Sequence, residues 1–327
     1  MRHLRARRYP AALRATALTI SLLAGGTLTT GTASAAPTAS AERSAPVRFA
    51  TVQPTPVAAA RVKKELRALE ASFKGRIGAY AIDTATGRTV AYRSGERFAL
   101  LSTFKAMACA AALDKARTSE PGLMDKVVKW TAADLKPNSP TTEKHVKDGL
   151  TVAQLCEATI TLSDNTAGNM VLKQIGGPAG LTRYFRKLKD PVSRLDRWET
   201  ELNDWTPKDK RDTTTPAAIA RDLRLVTAGN ALDAKDRERL NAWLVATETG
   251  DARIRTGLPK TWTIGDKTGT NSEIGAANDI AVAWPSGRSG APIILAVYTN
   301  REVAGLPADD TVIARAATIL ARGLGRL

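Results

Sequence analysis

Histidine is nearly absent from this chain: 327 residues contain two, His3 and His145. A serine–histidine–aspartate triad would have to be built on one of them, and a zinc centre would be short of ligands. Any general-base catalysis here must therefore draw on lysine or carboxylate side chains. Cysteine is equally scarce, with only Cys109 and Cys156, 47 positions apart. That pair suits one disulfide, or two small apolar side chains on facing helices. No internal repeat is present.

The N-terminus differs in kind from the rest. Arg2, Arg5, Arg7 and Arg8 precede an apolar run over 11–28, and Ala33-Ser34-Ala35 has the small-residue form of a signal-peptidase site. Arg14, Thr16, Thr19 and Ser21 interrupt the run, which argues for a cleaved export signal over 1–35 and against a membrane span in the mature protein. Arg7-Arg8 suits the twin-arginine route, and the general secretory route accepts the same segment; both deliver a secreted protein. Removing the signal's five arginines lowers the basic side chains from 48 to 43 against 32 acids, a net of +11. Such a charge favours anionic surfaces. The basic residues are scattered among acids, however, and no nucleic-acid motif accompanies them, so a solvated basic surface is expected and no nucleic-acid partner.

Residues 36–56, rich in Ala, Thr, Pro and Ser, read as a disordered leader. Apolar spacing at Val62, Leu66, Leu69 and Phe73 predicts an amphipathic helix over 57–73. Strands are predicted at 77–83 and 89–92, helices near 102–117, 151–161, 165–175, 180–188, 216–228 and 234–248, then strands at 261–267, 278–284 and 292–299 and a last helix over 310–322. Strands at both ends with helices inserted between them predict a discontinuous α/β lobe (57–95 and 249–327) and an all-α lobe (96–248). Ligands are expected in the cleft between two such lobes.

Four short motifs carry the chemistry. Ser102 and Lys105 lie three residues apart at a predicted helix start, so one face presents a hydroxyl beside an amine that can take its proton. Alone, Ser-x-x-Lys arises about once in a chain of this size and means little. Ser163-Asp164-Asn165 falls in a tight junction between helices, where Ser163 could relay a proton and Asn165 could hold a substrate carbonyl; local turn chemistry explains the same three residues equally well. The stretch 190–215 has no clean period, and a long irregular segment inside a domain is usually functional. Within it Glu199 is a candidate general base, with Asn203 a second holder of its water. Lys267-Thr268-Gly269-Thr270 closes a predicted strand: Lys267 and Thr268 can bind a carboxylate, Gly269 permits close backbone approach, and the Thr270 N–H can complete an oxyanion hole with that of Ser102.

In order and separation (61 residues from Ser102 to Ser163, 36 more to Glu199, 68 more to Lys267) the set resembles the class A serine β-lactamases. Segments between the motifs share the resemblance, among them Ser139-Pro140-Thr141-Thr142-Glu143-Lys144-His145 and Leu195-Asp196-Arg197-Trp198-Glu199. It covers nearly everything after residue 57. It implies a penicillin-recognising fold, with a five-stranded antiparallel sheet flanked by helices and a helical lobe. It also implies a monomeric, metal-free and cofactor-free hydrolase of β-lactams. It favours a bridge between Cys109 and Cys156, and a pairing of Arg197 with Asp212 across the loop. Three positions depart from the pattern. Asn138 stands where many members place an aromatic ring, and Asn271 where glycine is usual. Ala277 replaces a late-strand arginine, for which Arg253 fits the alternative seen in actinomycete-like members. Two other readings use the same motifs: a cell-wall D,D-peptidase, which would lack the deacylating glutamate, and a non-catalytic β-lactam sensor.

Overall fold

The computed structural model describes residues 56–327 apart from 288, 289 and 304. The expected export signal, and the expected leader as far as residue 55, lie outside the described residues; residue 56, counted with the leader, is the first of a helix. Five strands form one antiparallel sheet: β1 (Gly75–Asp83), β2 (Thr89–Tyr92), β3 (Thr263–Asn271), β4 (Ala276–Trp284) and β5 (Ile293–Arg301), in the order β2-β1-β5-β4-β3. Both faces are covered, so the strands alternate between two cores rather than between core and solvent. Ile77, Ala79, Ala81, Leu295 and Val297 point to one core; Tyr80, Ile82, Ile294, Ala296 and Tyr298 point to the other.

The first core is closed by α1 (Pro56–Phe73) and the last helix, α8 (Asp310–Gly323). The stripe expected on α1 is the buried one: Val62, Leu66, Leu69 and Phe73 all lie in this core, with Val312, Ile313, Ala316 and Leu320 of α8. Fully burying a side chain such as Leu66 contributes about 1.5–3 kcal/mol. On the opposite face pack the helices between: α2 (Phe104–Thr118), α3 (Val152–Thr161), α4 (Asn165–Ile175), α5 (Gly177–Lys187), α6 (Pro216–Thr227) and α7 (Ala234–Val245). Four of their starts follow from capping chemistry. Thr151 and Gln154 form the expected capping box on α3, and Asp164, Thr215 and Asp233 cap α4, α6 and α7. Helix α2 is buried on all sides from Phe104 to Leu113, which its run of alanines permits. It is the post around which the others stand.

Three expectations change. The helix predicted from 102 begins as an α-helix at Phe104, with Leu101–Thr103 forming a 3-10 turn. Strand β3 does not end at Lys267 but runs on to Asn271, because β4 supplies a partner for each residue down to Asn271↔Ala276. Cys109 and Cys156 are not bridged: both are free and buried, on α2 and α3. They pack as small apolar residues, and burial with the neighbouring Cys156 pushes the Cys109 thiol well above its usual range. Neither thiol of the folded protein is expected to react with a thiol reagent. Unfolding in denaturant without reductant should release both, and a chain releasing none would carry the bridge instead.

Candidate active site

Ser102 occupies the 3-10 turn that feeds α2, and the sheet holds that turn in place. Thr103 Oγ1 donates to Leu100 O (2.6 Å) and shares a 2.8 Å hydrogen bond with the Tyr298 hydroxyl; Asn278 Nδ2 donates to Ala99 O at 2.9 Å. This anchoring sustains a strained residue, since Leu101, fully buried, has φ +48°. Such a conformation costs a bulky residue about 1–3 kcal/mol and turns the next residue outward from the packed layer.

Lys105 follows one turn later with its side chain fully buried. Its Nζ donates to Ser102 Oγ (2.9 Å) and Ser163 O (2.8 Å), touches Asn165 Oδ1, and lies 3.2 Å from Glu199 Oε1. Burial pulls its pKa below the usual lysine value, against the opposing pull of Glu199 and Asp164. Ser163 sits at the α3–α4 junction with φ +58°. Its hydroxyl lies between two ammonium groups, 3.3 Å from Lys105 Nζ and 3.1 Å from Lys267 Nζ. Asp164 is structural: it accepts from the Thr141 and Thr142 N–H groups and from Ala167 N, stapling the 139–145 segment to α4.

Glu199 is delivered by the irregular stretch predicted as functional. The loop's ends are pinned by Arg197 Nε donating to Asp212 Oδ2 at 2.6 Å. Asn169 on α4 clamps the Glu199 backbone at two points, accepting from its N–H (2.9 Å) and donating to its carbonyl (2.8 Å). The carboxylate is fully buried. Oε1 accepts from Ser102 Oγ at 3.3 Å, and Oε2 accepts from Asn203 Nδ2 at 2.9 Å.

Strand β3 closes the other side as the free edge of the sheet. Lys267 and Gly269 share the face that looks toward the helices. A methyl group on Gly269 would lie 2.9 Å from Leu101 Cβ and 3.2 Å from Ser102 N, so only glycine lets this strand approach the nucleophile so closely. Lys267 Nζ also donates to Thr268 O. Arg253 reaches the same strand, donating to Gly269 O (2.9 Å) and Thr270 Oγ1 (2.7 Å), with its Nε on Asp310. The Thr268 and Thr249 hydroxyls meet at 2.6 Å.

All four motifs therefore converge. A cavity of about 310 Å³ is lined by Ser102, Ser163, Asn165, Glu199, Asn203, Arg253, Thr268, Gly269 and Thr270, with Lys105 and Lys267 behind its wall. A larger concavity of about 920 Å³ lies by the ends of α6 and α7 and contains none of the motif residues. Among the described residues no cluster of His, Cys, Asp and Glu could hold a metal ion.

The profile of the beta-lactamase enzyme family matches residues 61–324. The chain is 50% identical to the β-lactamase AST-1 of Nocardia asteroides over 257 residues, 79% of this chain and 82% of that one. A crystal structure of a β-lactamase from Streptosporangium roseum superposes with a TM-score of 0.81 at 74% identity, covering 82% of this chain and all of that one. An ancestral class A β-lactamase superposes at 0.76 with 50% identity, over 80% of this chain and 99% of that one. The chain belongs to the class A serine β-lactamases.

Several groups of this β-lactamase site carry no sequence signature. Asn169, Thr249, Asn278 and Tyr298 act through tertiary contacts, and only the helical spacing of Asn165 and Asn169 hints at a shared face. Asn138 has φ +57° and its amide donates to Ser163 O at 3.3 Å, so it lies against the backbone where a ring is usual. Burial first, and the Lys105 charge second, push the Lys267 ammonium down to about 7, against the pull of Asp266 and Asp279. The charge is present below that pH and lost as pH rises through it. In this β-lactamase, affinity for a carboxylate-bearing inhibitor is accordingly expected to fall as pH rises through about 7. Lys267→Arg should abolish that dependence, whereas a flat wild-type profile across that pH would contradict the assignment.

Proposed function

We infer that the chain hydrolyses β-lactams through an acyl-enzyme on Ser102. The single observation that carries this is Glu199, a buried carboxylate within 3.3 Å of the Ser102 hydroxyl and tied to Asn203. A serine with a lysine suffices to make an acyl trap. A carboxylate aimed at the same point is what releases the acyl group to water.

In acylation the Ser102 oxygen adds to the lactam carbonyl and gives up its proton. Glu199 can take it by direct contact, and Lys105 can take it once its ammonium has lost a proton, a form that burial favours by lowering the lysine pKa. The Ser102 and Thr270 N–H groups bind the oxyanion, a donor pair in which each member is worth about 3–4 kcal/mol of barrier. The carbon–nitrogen bond then breaks, and Ser163, bridging the two lysines, passes a proton to the leaving nitrogen. Lys267, Thr268 and Arg253 hold the substrate carboxylate, and Asn165 its side-chain carbonyl. In deacylation Glu199, steadied by Asn203, takes a proton from water as the oxygen adds to the ester carbon, and Ser102 leaves with its hydrogen restored.

The cleft between the α/β part (57–95 with 249–327) and the all-α part (96–248) is where this reading seats the substrate. Every group it uses comes from one chain, so this reading needs no residue from a second subunit and is compatible with a monomer. No helix among the described residues is long and apolar enough to cross a membrane. The basic, apolar N-terminal segment and Ala33-Ser34-Ala35 support an exported protein cleaved near Ala35. A D,D-peptidase would share the serine, the lysines and the edge strand, but leaves the Glu199–Asn203 pair without a role.

Glu199→Ala is expected to accumulate a covalent penicilloyl adduct on Ser102, seen as a mass increase of the intact protein, with turnover slowed by orders of magnitude. Rapid turnover in that variant would remove Glu199 from its role.

A further inference from the structure

Asn271 is the last residue of β3 and lies buried at 8% exposure, although it belongs to none of the four motifs. Both ends of its amide are engaged. Nδ2 donates to the backbone carbonyl of Asn203 at 2.8 Å, while Oδ1 accepts from Glu273 N at 2.9 Å and from Ile274 N at 3.4 Å. One side chain thus fastens the turn after β3 to the catalytic loop. The Asn203 carbonyl takes a second hydrogen bond from Trp205 N, also at 2.8 Å. Trp205 in turn packs with Ala99, Leu101 and Ala276 in a small separate apolar cluster, with Ile274 against it. Loop, nucleophile turn and sheet edge therefore meet at one joint, half apolar peg and half amide clamp.

The clamp acts at a sensitive place. The same Asn203 whose backbone it holds presents its amide to Glu199 Oε2. Glu199 is fixed from the other side by Asn169, so its backbone has a support on α4, whereas Asn203 has its support on β3.

We propose that Asn271 is a positioning residue for deacylation: by fixing the Asn203 backbone it sets where Asn203 and Glu199 together hold the attacking water. With Lys105 as base, acylation draws on Lys105 and Ser163, neither of which Asn271 touches, whereas the water of deacylation is held by Glu199 and by Asn203, whose backbone Asn271 clamps. The two half-reactions should therefore respond differently. This rests on the hydrolytic reading above and adds to it which residue orients the second step.

Asn271→Asp is the discriminating variant. The carboxylate keeps an acceptor for Glu273 N and Ile274 N, so the turn survives, but it has no hydrogen to give the Asn203 carbonyl. With benzylpenicillin, the deacylation rate constant should fall on the order of tenfold, the size of one hydrogen bond expressed in a barrier. The second-order acylation constant should stay within about twofold. As deacylation becomes limiting, kcat and KM should fall together, and the acylated fraction seen by intact-protein mass spectrometry during turnover should rise. Asn271→Gly, which removes the clamp without adding charge, should show the same split and guards against a charge artefact. Unchanged deacylation in both variants would overturn the proposal, as would equal losses in both steps, the mark of a merely structural role. If the wild-type protein itself fails to turn over benzylpenicillin, the hydrolytic reading falls and takes this proposal with it; wild-type turnover with normal deacylation in the variants sinks the clamp alone.

Discussion

The site is organised around one buried ammonium group. Lys105 is sealed inside the protein on a helix that has no exposed face for its first ten residues. A charge in that position is tolerable only if oxygen atoms surround it. The oxygens come from the nucleophile turn (Ser102), the α3–α4 junction (Ser163, Asn165) and the catalytic loop (Glu199). Satisfying Lys105 therefore forces three distant stretches of chain to one point. Removing one partner of a buried pair of this kind typically costs about 3–5 kcal/mol, because the other charge is left stranded. The catalytic constellation and the packing of the helical side are thus the same requirement met once.

The second lysine follows from the first. Lys267 enters from the sheet edge, and the Ser163 hydroxyl stands between the two ammonium groups. Two buried like charges disfavour each other, and the Lys105 charge contributes to holding Lys267 down to about 7. A hydroxyl between two such groups is well placed to give and recover a proton. Close approach of β3 makes this possible. Gly269 leaves no Cβ to collide with Leu101, and Leu101 is itself held in a left-handed conformation by the anchors at Thr103 and Asn278.

Much of this was readable in the sequence because it is written in local rules. The α1 stripe, the capping box at Thr151 and the turn residues around Ser163 each encode their element within a few positions. The motif residues were readable as chemistry because their types and separations fit one mechanism. What was not readable depends on partners far away in the chain. Strand β3 extends to Asn271 only because β4 pairs with it, and no property of 268–271 announces that. Asn169 and Asn271 look like ordinary polar residues until the loop folds against them. Two cysteines in facing helices carry the same signal whether bridged or free, and here they are free. Asn138, marked as a departure, turns out to spend its amide on the Ser163 carbonyl, a use that no pattern of neighbours predicts.

The measurement that bears most directly on the central claim is the coupling between Lys105 and Glu199. A double-mutant cycle with Lys105→Met and Glu199→Gln, read by denaturant unfolding, isolates it. If the buried ammonium and carboxylate depend on each other, the double variant should be less destabilised than the sum of the two single variants, by more than about 1 kcal/mol. Effects that add to within about 0.3–0.5 kcal/mol would mean that the two groups are independent, and would contradict the account.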